Sequence, residues 1–241
     1  MPHERFFYPH EMQEGDIISL PPEEEKHMSV MRIRPGDSVE LVNGCGFLGA
    51  ATLLSSSKKN ISLKITKVDF EKESSPKLII AQSLPRANRL DFILEKGTEL
   101  GMHELWLFPG EFSEKKEIGE NLLQRMKSIT IAALKQCGRL YLPNIRIMPS
   151  LSSWDVSELP SSLFFGDTSK DAKPFINYWK DYNDLIFFVG PEKGFSANEI
   201  ECLLKMHAKG VKLHESILRT DTASLAFLSI AKHVLLGKTY V

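Results

Sequence analysis

From residue 78 onward, short apolar runs alternate with longer segments in which apolar residues recur every three to four positions. The runs at 78–82, 105–108, 145–148 and 163–165 read as strands. Leu185-Ile186-Phe187-Phe188-Val189 is apolar at every position, as in a strand buried on both faces. Helices are predicted over 88–100, ended by Gly101, and over 121–137, ended by Gly138. A third covers 196–207, where Ser196 and Glu199 have the spacing of a capping box. A last strand is predicted at 211–213 and a last helix at 222–236, with Thr220 or Asp221 as its N-cap. Strand–helix alternation of this kind predicts an α/β domain with a parallel sheet.

The first 72 residues have a different rhythm. Short β-like runs at 17–20, 38–42 and 60–68 are separated by turn signals, among them Pro35-Gly36-Asp37 and Asn43-Gly44. One helix is predicted at 22–31, with Pro22 and acidic residues in its first turn. This pattern predicts a small β-barrel. The polar stretch 71–76, ending in Pro76, reads as the linker to the larger domain.

Composition narrows the class. Of 241 residues, 42% are hydrophobic and 25% charged, which excludes collagen-like and disordered chains. Thirty Lys+Arg against 31 Asp+Glu leave a formal net charge of −1, so a generic polyanion-binding coat is excluded and only a local basic patch remains. No apolar run has the length of a membrane span, and the N-terminus lacks the core of a signal peptide. Cys45, Cys137 and Cys202 are few, odd in number and far apart, which points to a reducing cytoplasm. The histidines at 207, 214 and 233 have no metal-ligand spacing, and no metal is expected.

Three segments carry candidate chemistry. Gly44-Cys45-Gly46-Phe47-Leu48-Gly49 matches the G-x-G-x-x-G dinucleotide pattern, with Asp69 twenty residues on. The helix that pattern requires is missing, because Ser55-Ser56-Ser57 is weak helix material, and a hairpin is the stronger reading. Gly190-Pro191-Glu192-Lys193-Gly194 follows the fully apolar strand and precedes the capped helix. Ligands of open parallel sheets bind at such strand ends, where glycines let backbone amides approach; a plain connector has the same outline. In 213–224, Arg219 lies at a helix N-terminus, where a cation needs an anion nearby. Asp221 could supply that anion, or an RNA phosphate or base carbonyl could. Basic residues at 5, 32, 34, 86, 89 and 139 would form a phosphate track only if folding gathered them.

Taken together, the motifs resemble a known family. The sequence FVGPEKGFSANEIE at 188–201, followed by ILRTDTA at 217–223, closely resembles the RsmE family. These SPOUT-superfamily methyltransferases modify N3 of a uracil in 16S ribosomal RNA. Arg5-Phe6-Phe7, His27 with Val30-Met31-Arg32, and Pro35-Gly36-Asp37 are similar to its PUA-like RNA-binding barrel. Arg89 with EKGTELG at 95–101, and Ala132-Ala133 through Gln136 to Arg139 and Pro143, match further family segments.

The resemblance implies a PUA-like barrel over 1–72 and a SPOUT domain over 73–241. A deep trefoil knot and the S-adenosylmethionine site would lie at about 163–225. It implies a homodimer acting on the small ribosomal subunit. Cofactor-binding residues would be Phe165, Gly166, Val189, Gly190, Pro191, Glu192, Lys193, Gly194, Leu213, His214, Ile217, Leu218, Arg219, Thr222 and Ala223. Arg219 is expected to stabilise charge on the uracil, with Glu192 as the candidate proton acceptor. RNA contacts are expected from Arg5, Arg32, Arg34, Arg86, Arg89, Gln136 and Arg139.

Three positions depart from the family pattern. Lys193 replaces a glycine, His214 another, and Ser216 an arginine, while Glu114-Lys115-Lys116 stands for its E-R-S loop. Lys193 and Lys115 either restore the lost charge, or the cofactor loops have degenerated and the chain only binds ribosomal RNA. Cofactor binding separates those readings.

Overall fold

A computed structural model describes residues 4–57 and 60–239. The chain divides into two compact units, Met1–Glu73 with Ile131–Leu142, and Ser74–Thr130 with Pro143–Val241.

The first unit contains β1 (Arg5–Phe7), β2 (Ile17–Ile18), α1 (Pro22–Val30), β3 (Ser38–Val42), β4 (Phe47–Ser57) and β5 (Asn60–Phe70). The strand order is β1-β3-β4-β5-β2, with β1 and β3 parallel and the other pairs antiparallel. β1 and β2 do not pair, so in hydrogen bonds the expected barrel is an open sheet; its edge strands have only 3 and 2 residues. Phe6, Leu41, Leu53, Leu63 and Ile65 are fully buried inside it together with Met28 of α1.

Residues 43–46 form the turn between β3 and β4. The Asn43 Oδ1 accepts from the backbone N–H groups of Cys45 (2.8 Å) and Phe47 (3.2 Å). The hairpin reading therefore holds, and no helix follows Gly49 because residues 50–57 run on as strand.

Residues 131–142, expected in the larger domain, pack with the smaller unit instead. Leu134 is buried against Phe7 and Val42, and the Lys135 ammonium meets Glu24 at 2.6 Å. The Leu142 N–H donates to the Gly44 carbonyl at 3.0 Å. Helical periodicity predicted this helix but carried no signal of which sheet its end would meet.

The second unit is built on six parallel strands. They are β6 (Leu78–Ser83), β7 (Glu104–Phe108), β8 (Asn144–Ile147), β9 (Ser162–Gly166), β10 (Leu185–Val189) and β11 (Lys209–Val211), in the order β11-β9-β10-β6-β7-β8. The helices are α2 (Ala87–Glu99), α3 (Glu120–Cys137, whose last turns belong to the first unit), α4 (Ala197–Lys205) and α5 (Thr220–Thr239).

Side chains alternate between two cores, as strand geometry demands. Leu185 and Phe187 of β10 join Leu78 and Ile80 beneath α2 and α5, where Phe187 stacks on Phe227 with centroids 4.3 Å apart. Ile186 and Phe188 join Ile79, Ala81, Trp106 and Phe108 on the α4 side. This accounts for the apolar residue at every position of β10, all five of which are buried.

Two boundaries beside the cavity differ from expectation. β11 ends two residues early, because the backbone of Lys212 bonds instead to the crossing segment: its N–H to Lys173 O at 2.9 Å and its carbonyl to Phe175 N at 3.1 Å. α5 starts at Thr220, whose hydroxyl does not cap the helix but donates to the Gly190 carbonyl at 2.7 Å. Among the described residues, no helix is long and apolar enough to cross a membrane, and no cluster of His, Cys, Asp or Glu could hold a metal ion.

Candidate active site

The carboxyl ends of β9, β10 and β11 open into a cavity of about 720 Å³, within the size range of small-molecule sites. It lies where parallel sheets place their ligands.

The floor is built from the turn after β10. Gly190 has no room for a side chain, since a Cβ there would stand 3.0 Å from both Gly194 C and Phe195 N. Gly194 adopts φ 79°, a left-handed conformation that favours glycine, and its N–H closes the turn onto Pro191 O at 2.8 Å. The capping box then starts α4: Ser196 Oγ accepts from Glu199 N at 3.1 Å, and Glu199 accepts from Ser196 N at 2.8 Å.

A guanidinium holds this turn in place. Arg89, from α2, lies 3.3 Å from Glu192 and 2.9 Å from Asp221, with its side chain 20% exposed. Glu192 also accepts from the Arg86 backbone N–H at 3.2 Å. Arg89 was expected on RNA; the structure commits it to the cavity wall instead. Asp221, the anion available to Arg219, is taken by Arg89.

Arg219 is left exposed on the cavity lip at the start of α5, with no ion pair or side-chain hydrogen bond among the described residues. A cation at a helix N-terminus opposes the helix dipole. Its placement costs stability that only an anionic or electron-rich partner would offset.

The cavity gathers nearly all the expected cofactor residues: Phe165, Gly166, Val189 through Gly194, Leu213, His214, Ile217, Leu218, Arg219 and Ala223. Thr222 does not line it. Helical spacing points Thr220 and Ala223 inward together and turns Thr222 away, where its N–H meets the Asp221 carboxylate at 3.0 Å. Asp167 and Thr168, just past β9, line the cavity without having been anticipated. The strand-end rule applied to β9 as it was to β10 would have found them.

The family model described as an RNA methyltransferase domain matches residues 72–232, and a model described as an RNA methyltransferase PUA domain matches 20–66. This chain belongs to the RsmE family of RNA methyltransferases. It is 29% identical to the Bacillus subtilis ribosomal RNA small subunit methyltransferase E over 233 residues, covering 91% of each chain. The Neisseria gonorrhoeae ribosomal RNA small subunit methyltransferase E bound to S-adenosyl methionine superposes with a TM-score of 0.86 at 27% identity, covering 96% of this chain and 98% of that one. A putative methyltransferase from Legionella pneumophila, solved in complex with S-adenosylmethionine, superposes with a TM-score of 0.87 at 26% identity, covering 97% and 98%.

The departures from the family pattern, Lys193, His214 and Ser216, line the cavity as exposed residues. Lys193 is exposed, and its charge, after that of Arg86, helps hold the Glu114 carboxyl below the usual carboxylate range. Glu114 itself pairs with Arg86. His214 is exposed and folds onto its own loop, its Nδ1 accepting from Ser216 N at 3.0 Å.

The expected RNA residues are placed unequally. Arg32, Arg34 and Gln136 are exposed in the first unit. Arg139 is half-buried there, and burial lowers its guanidinium pKa against the opposing pull of Cys137 and Glu73. Arg5 does not fit the role. It sits directly opposite Glu40 across β1 and β3, bonds it through Nε (2.9 Å) and Nη2 (2.7 Å), and is only 8% exposed. With two nitrogens on Glu40 and so little of its side chain exposed, Arg5 offers little face to a phosphate.

Proposed function

We propose that this chain transfers a methyl group from S-adenosylmethionine to N3 of a uridine in 16S ribosomal RNA, acting on the small ribosomal subunit. The observation that carries this reading is Arg219, a cation unpaired among the described residues, on the lip of a glycine-floored cavity. The names of its relatives and the cofactor bound to its structural neighbours support the same reaction.

The residues present fit the cofactor. Gly190 and Gly194 let backbone rather than side chains form the floor, and Phe165, Phe195 and Leu218 offer apolar wall for a purine. S-adenosylmethionine, when bound, supplies an electrophilic methyl group on a sulfonium. The uracil N3 must lose its proton, to water at the open mouth of the cavity, and negative charge spreads onto the flanking carbonyls. Arg219 stabilises that charge, the kind of preorganised contact that commonly dominates catalysis. Glu192, held by Arg89 and the Arg86 N–H, is assigned to tethering the cofactor loop rather than to accepting the N3 proton.

In the same reading, Arg32, Arg34, Gln136 and Arg139 of the first unit and Arg86 of the second contact RNA. With a net charge of −1, recognition rests on the shape of a structured target. The segment 163–225 forms a deep trefoil knot, in keeping with the bonds between Lys212 and residues 173–175 just before the chain enters α5. The protein is a homodimer whose partner covers Ile217, 82% exposed beside the cavity. A cytoplasmic location follows from the ribosomal substrate.

The test is methyl transfer from labelled S-adenosylmethionine to small subunits lacking the modification, with naked 16S RNA in parallel and the product nucleoside identified. The expected result is 3-methyluridine from the subunits. No transfer to either substrate, together with no cofactor binding by calorimetry, would overturn the reading.

A further inference from the structure

A buried polar group lies just beneath the cavity floor and outside its lining. Gln82 is the penultimate residue of β6 and has no exposed surface, in a strand that is otherwise largely apolar. Its amide orientation is determined by its neighbours. Nε2 donates to the Ser83 carbonyl at 2.9 Å, which can only accept, so Oε1 must face Ser224, whose hydroxyl donates to it at 2.8 Å. Nε2 also donates to Thr220 Oγ1 at 2.8 Å, and Thr220 Oγ1 donates onward to the Gly190 carbonyl at 2.7 Å. The donors therefore run one way, from Ser224 through Gln82 and Thr220 to Gly190. Gln82 and Ser224 are fully buried, so water cannot substitute at the first two links; the last, from Thr220 to Gly190, borders the cavity.

The two ends of this relay matter for the site. Gly190 opens the cofactor loop, and Thr220 directly follows Arg219. We propose that Gln82 is a positioning residue that sets the cofactor loop and Arg219 in register with each other. The inference rests on the methyl-transfer reading only for its effect on turnover. An apolar residue of the same length would fill the space, but it would leave the Thr220 hydroxyl without the donor that orients it.

Three variants test this beside the wild type. Gln82→Met keeps the volume and removes the donor, Gln82→Glu restores a donor only when protonated, and Thr220→Val removes the relay hydroxyl. Amide hydrogen exchange in the cofactor-free protein is followed at 189–195 and 219–225, with β7 as reference. Gln82→Met is expected to speed exchange in both segments together by about tenfold, leaving β7 unchanged. Its kcat is expected to fall by about 10–100-fold, with KM for RNA within a few-fold. Gln82→Glu is expected to regain kcat as pH falls through its buried carboxyl, whose titration burial raises, a rise the wild type does not share.

Unchanged exchange and unchanged kcat in Gln82→Met would overturn the proposal. If that variant does not fold, Thr220→Val decides, with coupled loosening as support and wild-type exchange as refutation. If the wild type transfers no methyl but the two segments still loosen together, the positioning role stands and the methyl-transfer reading falls.

Discussion

At the bottom of the cavity, Gln82, Thr220 and Ser224 are all buried and all partnered, and backbone packs so closely that Gly190 has no room for a Cβ. At its lip, the Arg219 side chain has no partner among the described residues, Ile217 is 82% exposed, and His214 bonds Ser216 within its own loop. The two regions follow different physical rules. The floor is a packed, satisfied structure in which a change of one atom is felt. The lip is solvated, and substitution there costs little unless the side chain does chemistry. This explains where the chain departs from its family. Lys193, His214 and Ser216 are exposed, whereas the glycines and the threonine of the floor keep the pattern.

Four variants sharpen or break that contrast. The largest effect is expected from Arg219→Ala, which should lower kcat by about 10²–10³-fold and leave cofactor affinity within a few-fold, measured by transfer assay and calorimetry. Next is Gly190→Ala. Its methyl group would meet backbone at 3.0 Å, and overpacking of about 1–3 kcal/mol should weaken S-adenosylmethionine binding by roughly 10- to 100-fold. Glu192→Gln removes one of the two carboxylates on Arg89. For a pair with about a quarter of its surface exposed, the expected loss of cofactor affinity is only about fivefold. Smallest is the double change Lys193→Gly with His214→Gly. Both residues line the cavity but are exposed, Lys193 acting on Glu114 and His214 bonded to its own loop, so affinity should move by less than about threefold. A large gain in the double variant would show that the lip obstructs the cofactor.

The sequence disclosed the elements unevenly. β10 was legible because a strand buried on both faces leaves no polar residue to confuse the pattern, and α4 because its capping box is written in two residues, Ser196 and Glu199. The loop after β10 was legible as a site because glycines flank it at a strand end. Arg89 and Arg5 were misread for one reason. A charged residue in sequence looks solvated, and only the fold places Glu192 and Asp221 around one, or Glu40 directly across from the other. The helix end at 131–137 and the early stop of β11 were invisible, since each depends on a backbone partner far away in the chain. Gln82 carried no signal at all, being one of two polar letters that close an otherwise apolar strand.

The most direct test of the account measures cofactor binding and methyl transfer on the same preparations of wild type and Arg219→Ala, using unmodified small ribosomal subunits. The account predicts that both proteins bind S-adenosylmethionine and that only the wild type forms 3-methyluridine at an appreciable rate. Transfer by Arg219→Ala at the wild-type rate would contradict it, because the unpaired cation on the lip would then have no part in the reaction.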